Sequence, residues 1–320
     1  MNLTPEVIAI LLLDAIFLIF SLFAFIYSIQ IVKNWDLNST SAYQYSLEKK
    51  SILVATIIKY IFVLKLPLFL FFVYTADKIS NVISGAMCAS GVVNSVSFGL
   101  PLLVFKIANL YIFGFWLLLH SSDIKDERLS FTKLKFTIFI MAFFLLIAEI
   151  FYEVSFFNGL DVDKIVSCCG TLFSATSTSA ISLIFKISNP TIVTLFYTSF
   201  IMLIITYFIK NHILFLFTNL LFLLISIISL ILFFGTYIYE LPTHHCPFCF
   251  LQKDYYYVGY LLYITLFLGT FYGMGGSFMK LLKGSYSTNF YRKSLLFNSI
   301  YTLVISAYVV IYYLKNGVWL

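Results

Sequence analysis

Charge is what this sequence has least of: Asp, Glu, Lys and Arg make up 11% of its 320 residues, where a soluble globular chain carries about a quarter. A water-soluble fold is excluded. Strict apolar/polar alternation is also missing, which excludes the strands of a membrane barrel. There is no glycine-rich phosphate loop and no HExxH, so work driven by ATP would need a partner. The start, MNLTPEVIAILLL, has neither a basic n-region nor a small-residue cleavage site, which argues against a cleaved signal peptide. The basic residues are divided among separate loops, so the net charge of +6 is no nucleic-acid footprint.

What is present is apolar length. Of all residues 61% are apolar, in about eight blocks of the roughly 20 residues that cross a hydrocarbon core. The expected fold is all-α: one polytopic membrane domain over residues 1–320, its first partner the lipid bilayer. Spans are expected at Pro5 to Val32, Ile52 to Thr75, Leu100 to Leu119, Phe136 to Ser155, Thr191 to Ile209, Ile213 to Tyr239, Tyr256 to Met274 and Leu295 to Leu314. Lys and Arg are retained on the cytoplasmic side. With both termini outside, the inner loops collect twelve basic residues and the outer loops four, Lys78, Lys164, Lys253 and Lys315. The expected topology is therefore N-out and C-out, in a prokaryotic plasma (inner) membrane.

The chain also repeats itself. Setting Cys88 on Cys168 without gaps brings Phe105, Lys106, Ile107 and Asn109 onto Phe185, Lys186, Ile187 and Asn189. The offset of 80 residues covers two spans, so both cysteines are expected at the same, outer surface. Cys246 and Cys249 follow another 78 residues on from Cys168 without a matching FKIxN flank. Two-helix hairpins are expected at about 52–119 and 136–209, with a divergent third at 213–275. The segments Cys88 to Leu119 and Cys168 to Ile209 each overshoot one span, and the surplus, ASGVVNSVSFG after Cys88 and GTLFSATSTSA after Cys169, is small and hydroxylated and suits a re-entrant or surface helix. A competing reading makes the second stretch a full extra span.

The densest motif is HHCPFCFLQKDYYYVGY, His244 to Tyr260. Two cysteines separated by two residues can close a disulfide, chelate a soft metal or exchange thiols. The sequence Cys246-Pro247-Phe248-Cys249-Phe250-Leu251-Gln252-Lys253, placed before a span, resembles the CxxCxxQR stretch of the disulfide bond formation protein B family, and more distantly the vitamin K epoxide reductase group. The likeness covers about fifteen residues. Lys253 stands where the family has arginine, and eight spans stand where it has four. The resemblance implies an enzyme passing electrons from protein thiols to quinone. Cys246 and Cys249 would be the quinone-proximal pair, and Gln252 and Lys253 would bind quinone. Cys168 and Cys169 would be the catalytic pair that meets an extracytoplasmic thiol protein.

Two other classes fit the same residues. Cys88, Cys168, Cys169, Cys246 and Cys249 with Met87, His244 and His245 form an inventory for copper or another soft metal. Covalent c-type haem is disfavoured, because Phe250, not histidine, follows Cys249. An anchor subunit of a respiratory complex would use the cysteines for structure alone.

Ionisable residues inside spans are costly and point to function or to partners. Asp14 and Lys65 are expected to pair, either functionally or as helix-to-helix adhesion. Lys106 and Lys186 are expected to snorkel or to reach a carboxylate, and Glu149, Glu153 and Glu240 to supply proton relay or charge balance.

Overall fold

The computed structural model describes residues 4–36, 39, 41–126, 129–161, 166, 187–282 and 289–320. Among these residues eight helices are long and apolar enough to cross a membrane. They are α1 (Pro5–Asn34), α2 (Ala42–Ser80), α4 (Gly99–Lys125), α5 (Thr132–Gly159), α6 (Asn189–Ile209), α7 (His212–Tyr239), α8 (Val258–Leu281) and α9 (Asn289–Asn316), with a short helix, α3 (Ala89–Ser95), after the second span. The chain is a multi-pass helical membrane protein. Large apolar side chains such as Ile19, Phe23, Met141, Phe151, Phe208 and Leu303 stand exposed along these helices, where lipid rather than water covers them.

The chain groups into two compact units. The first holds α1, α4, α5 and most of α2. Thr4 caps α1 by accepting from the Val7 N–H, and Pro5 occupies the first turn, where its missing N–H costs nothing. The buried face of α1 runs Val7, Ile10, Asp14, Phe17, Ser21, Ala24, Ser28, Ile31, a strict alternation of threes and fours. That period of 3.5 is a coiled-coil seam, and it packs on α5. Its small residues let the backbones approach, while the Ser21 and Ser28 hydroxyls donate to carbonyls of their own helix. Aromatic stacking joins α2 to α4, with Phe62 and Phe113 centroids 4.0 Å apart. The α4–α5 turn is tied by buried Asp123, which accepts from the Phe131 N–H, the Thr132 hydroxyl and Lys135 Nζ.

α2 is longer than hydropathy predicts. Its 39 residues reach about 58 Å at 1.5 Å per residue, well beyond a hydrocarbon core. The excess lies at both ends, Ala42 to Ser51 and Ala76 to Ser80, where polar residues such as Glu48, Lys49, Asp77 and Lys78 continue the helix.

The second unit holds α6 to α9 and the segments carrying Cys88, Cys246 and Cys249. α6 and α7 form a tight antiparallel pair. Lys210 closes the first helix in the left-handed conformation, and the Asn211 side chain caps the next by accepting from Ile213 and Leu214 N–H groups. α8 meets α7 and α9 through glycines. A Cβ on Gly273 would lie 2.3 Å from the Asn219 side chain, and one on Gly269 would lie 2.1 Å from Asn298 Oδ1. The two asparagines sit in the space thus left, and Ser294 and Asn298 both donate to Asn219 Oδ1.

Candidate functional site: a buried three-thiol cluster

Two loops of the second unit build the site. One descends from α2 and reaches Cys88 immediately before α3, the short helix that ASGVVNSVSFG was expected to supply. Gly85 in this loop has φ +88, and a Cβ there would stand 2.2 Å from the Val166 carbonyl oxygen, so only glycine fits. The Val166 N–H donates to the Ser84 carbonyl beside it.

The other loop joins α7 to α8. α7 contains a π turn, Leu230–Phe234, followed by a last α-helical turn, Gly235–Tyr239; such wider turns recur at functional sites. His245 Nδ1 bonds the Ile231 carbonyl of that turn at 2.9 Å. Beyond α7 the chain passes through Cys246 and a 3-10 turn, Cys249–Leu251. Tyr239 holds this loop from inside: its hydroxyl donates to the Cys246 carbonyl at 2.5 Å and accepts from the Phe250 N–H at 3.1 Å. The Tyr263 hydroxyl donates to the Pro247 carbonyl, so two tyrosines pin the Cys-Pro-Phe-Cys turn at three backbone points. The Gln252 side-chain amide donates to the Met87 carbonyl at 3.1 Å and ties the two loops together.

The result is convergence of three thiols. Sγ atoms of Cys88, Cys246 and Cys249 all lie within 4.8 Å of one another, and all three residues are buried. Cys88 and Cys246 are nearest, at 3.5 Å. That is van der Waals contact, against about 2.05 Å for a bonded pair. The Phe248 N–H donates to Cys246 Sγ at 3.4 Å and orients that sulfur within the turn.

Beside the thiols the His244 ring packs edge-on against Tyr239, with centroids 4.2 Å apart. Its Nε2 is buried and has no hydrogen-bond partner among the described residues. Burial holds its pKa below the ordinary imidazole value, so the ring is neutral at physiological pH, the form that ligates metals or accepts a proton.

The structure thus brings together Cys88, Cys246 and Cys249, with His244 at hand, and separates other expected members. Met87 is 67% exposed and contributes its carbonyl rather than its thioether to the loop contact. His245 turns to the π turn. Lys253 is exposed at the start of a 3-10 turn, and Gln252 serves as a tie between loops. Cys168 and Cys169 lie outside the described residues, as does Lys186. No sequence motif marks the two tyrosine clamps, Tyr239 and Tyr263. Glu240 pairs with Lys315 at 2.8 Å.

The fold and this cluster define a multi-pass membrane protein with a buried cysteine centre. Comparison of the chain with protein-family models, with curated proteins and with solved structures gives no match.

Proposed function

We propose that the protein is a membrane thiol–disulfide oxidoreductase that passes electrons from an extracytoplasmic thiol partner to a lipid-soluble acceptor of the quinone class. The observation that carries this reading is the 3.5 Å contact between Cys88 and Cys246, which lie 158 residues apart in the chain. In the cycle, quinone takes two electrons and two protons from the Cys246 and Cys249 thiols, becoming quinol and leaving their disulfide. The Cys88 thiolate then attacks Cys246 Sγ; the Cys88–Cys246 bond forms, the Cys246–Cys249 bond breaks, and Cys249 departs as thiolate. Cys168 and Cys169 reduce the new disulfide and oxidise the partner's dithiol in turn. Val166, two positions before Cys168, is hydrogen-bonded next to the Cys88 loop, which supports that order.

Four described spans separate Cys88 from Cys246, and an even number returns the chain to the same surface. With basic residues retained inside, that surface is extracytoplasmic, in a prokaryotic inner membrane, and the repeated hairpins from about 52–119 and 136–209 each deliver a cysteine to it. Gln252 and Lys253, near the start of α8, are the groups assigned to quinone.

One observation favours a second reading. Three sulfurs within 4.8 Å of one another offer the thiolate donor set of a soft-metal site for copper(I) or zinc. The two readings separate in one preparation. Thiol trapping on intact membranes shows cysteines that become reduced when quinone is depleted if the protein is the oxidoreductase. Stoichiometric metal, lost in the Cys246→Ser and Cys249→Ser double variant, identifies the metal protein. Neither result, together with co-purifying subunits, identifies a membrane anchor and overturns both.

A further inference from the structure

The first unit contains a second buried polar centre that the thiol chemistry does not use. Asp14 on α1, Lys65 on α2, Lys106 and Asn109 on α4, and Glu149 and Glu153 on α5 form one network, and all six residues are buried. Lys65 Nζ contacts Asp14 Oδ1 at 2.6 Å and Glu149 Oε1 at 3.1 Å. Lys106 Nζ contacts the same Glu149 oxygen at 3.1 Å and Glu153 Oε2 at 2.7 Å. Asn109 Nδ2 donates to Glu149 Oε2 at 2.5 Å. The expected Asp14–Lys65 pair is therefore one edge of a larger array.

Its charges do not balance. Three carboxylates face two ammonium groups, so full ionisation leaves one uncompensated negative charge in a low-dielectric interior, which is strongly unfavourable. The orphan atoms fall where the missing charge belongs. Asp14 Oδ2, Glu153 Oε1 and Asn109 Oδ1 have no hydrogen-bond partner among the described residues. Asp14 and Glu153 are joined through Lys65, Glu149 and Lys106, and each keeps one carboxyl oxygen without a donor among the described residues. One proton on this pair of carboxyls neutralises the array.

We propose that Asp14 and Glu153 share one exchangeable proton, making this array a proton-binding site inside the membrane. Glu149, which accepts from both lysines and from Asn109, stays ionised and fixes the lysines in place.

Infrared spectroscopy of the full chain in lipid nanodiscs tests this. The expected result at neutral pH is the carbonyl stretch of a protonated, weakly solvated carboxylic acid, which shifts on transfer to deuterated water and fades as the pH is raised. Glu153→Gln reproduces the protonated form, since its amide is uncharged and its oxygen accepts from Lys106; it is expected to fold and to lose the band. A wild-type spectrum without the band at neutral pH overturns the proposal. So does a band that ignores deuterium, or one that persists at full intensity in both Glu153→Gln and Asp14→Asn.

Discussion

Cys88 and Cys246 touch through their sulfur atoms, 3.5 Å apart, although 158 residues of chain separate them. The contact is made by two loops, not two helices, and each loop is locked by its own backbone bonds. A third thiol, Cys249, completes the cluster. The arrangement is poised for exchange, because the attacking sulfur already rests against its target.

Removing the third sulfur is expected to trap the exchange partner. In Cys249→Ala, mild oxidation joins Cys88 to Cys246, since no thiol remains within the turn to reverse the bond. Cleaving the chain at a protease site introduced between α4 and α5 gives two fragments that stay linked without reductant and separate with it. Fragments that separate under both conditions contradict the contact.

Tyr239→Phe deletes one hydroxyl and strands two buried backbone groups, the Cys246 carbonyl and the Phe250 N–H. Unsatisfied groups of this kind cost about 1–3 kcal/mol each. The variant is expected to unfold earlier in denaturant titrations in detergent and to alkylate Cys246 faster. Unchanged alkylation removes Tyr239 from its role as a clamp.

Gly273→Ala places a methyl group 2.3 Å from the buried Asn219 side chain. Overpacking of this sort costs about 1–3 kcal/mol. The loss should appear in the stability of the α6–α9 unit and leave the thiol cluster chemistry of surviving protein intact, because Gly273 lies on the α8 face that meets Asn219 rather than at the cysteines.

His244 sets a pH dependence. Burial lowers its pKa in the folded protein, so the unfolded chain binds more protons as the pH drops. Its contribution to stability is complete above the ordinary value of 6.5 and is lost as the pH falls through the lower folded value. His244→Phe should flatten the acid limb of a melting-temperature profile. A profile identical to wild type means that another group is responsible.

Much of the fold was readable from hydropathy, because a membrane demands apolar length and little else. The fifth and sixth spans were expected at Thr191 to Ile209 and Ile213 to Tyr239, and their helices are Asn189–Ile209 and His212–Tyr239. α2 ran past its expected bounds because hydropathy reports lipid contact, while helicity continues through polar residues such as Glu48 and Lys49. Asp14 and Lys65 were legible as a pair, since two opposite charges in apolar runs must find each other. Their link through Glu149 to Lys106 was not, because depth in the membrane can be counted along a helix but its azimuth cannot. At the cysteine site, spacing placed Cys88 and Cys246 at one surface. That Cys88 meets Cys246 directly depends on the close approach of Gly85 to Val166 and on the Gln252 bond to Met87, which join segments far apart in sequence, and on the local clamp of Tyr239. The π turn that receives His245 carries no sequence signal of its own.

The most direct test is a redox titration of the reduced protein in nanodiscs with a quinone, following quinone absorbance and thiol content together. The account predicts one quinol formed for every two thiols lost, with Cys246 and Cys249 the first to disappear, and no quinol formed by Cys246→Ser. Thiols that stay reduced while quinone persists, in protein free of bound metal and with its fold intact, contradict it.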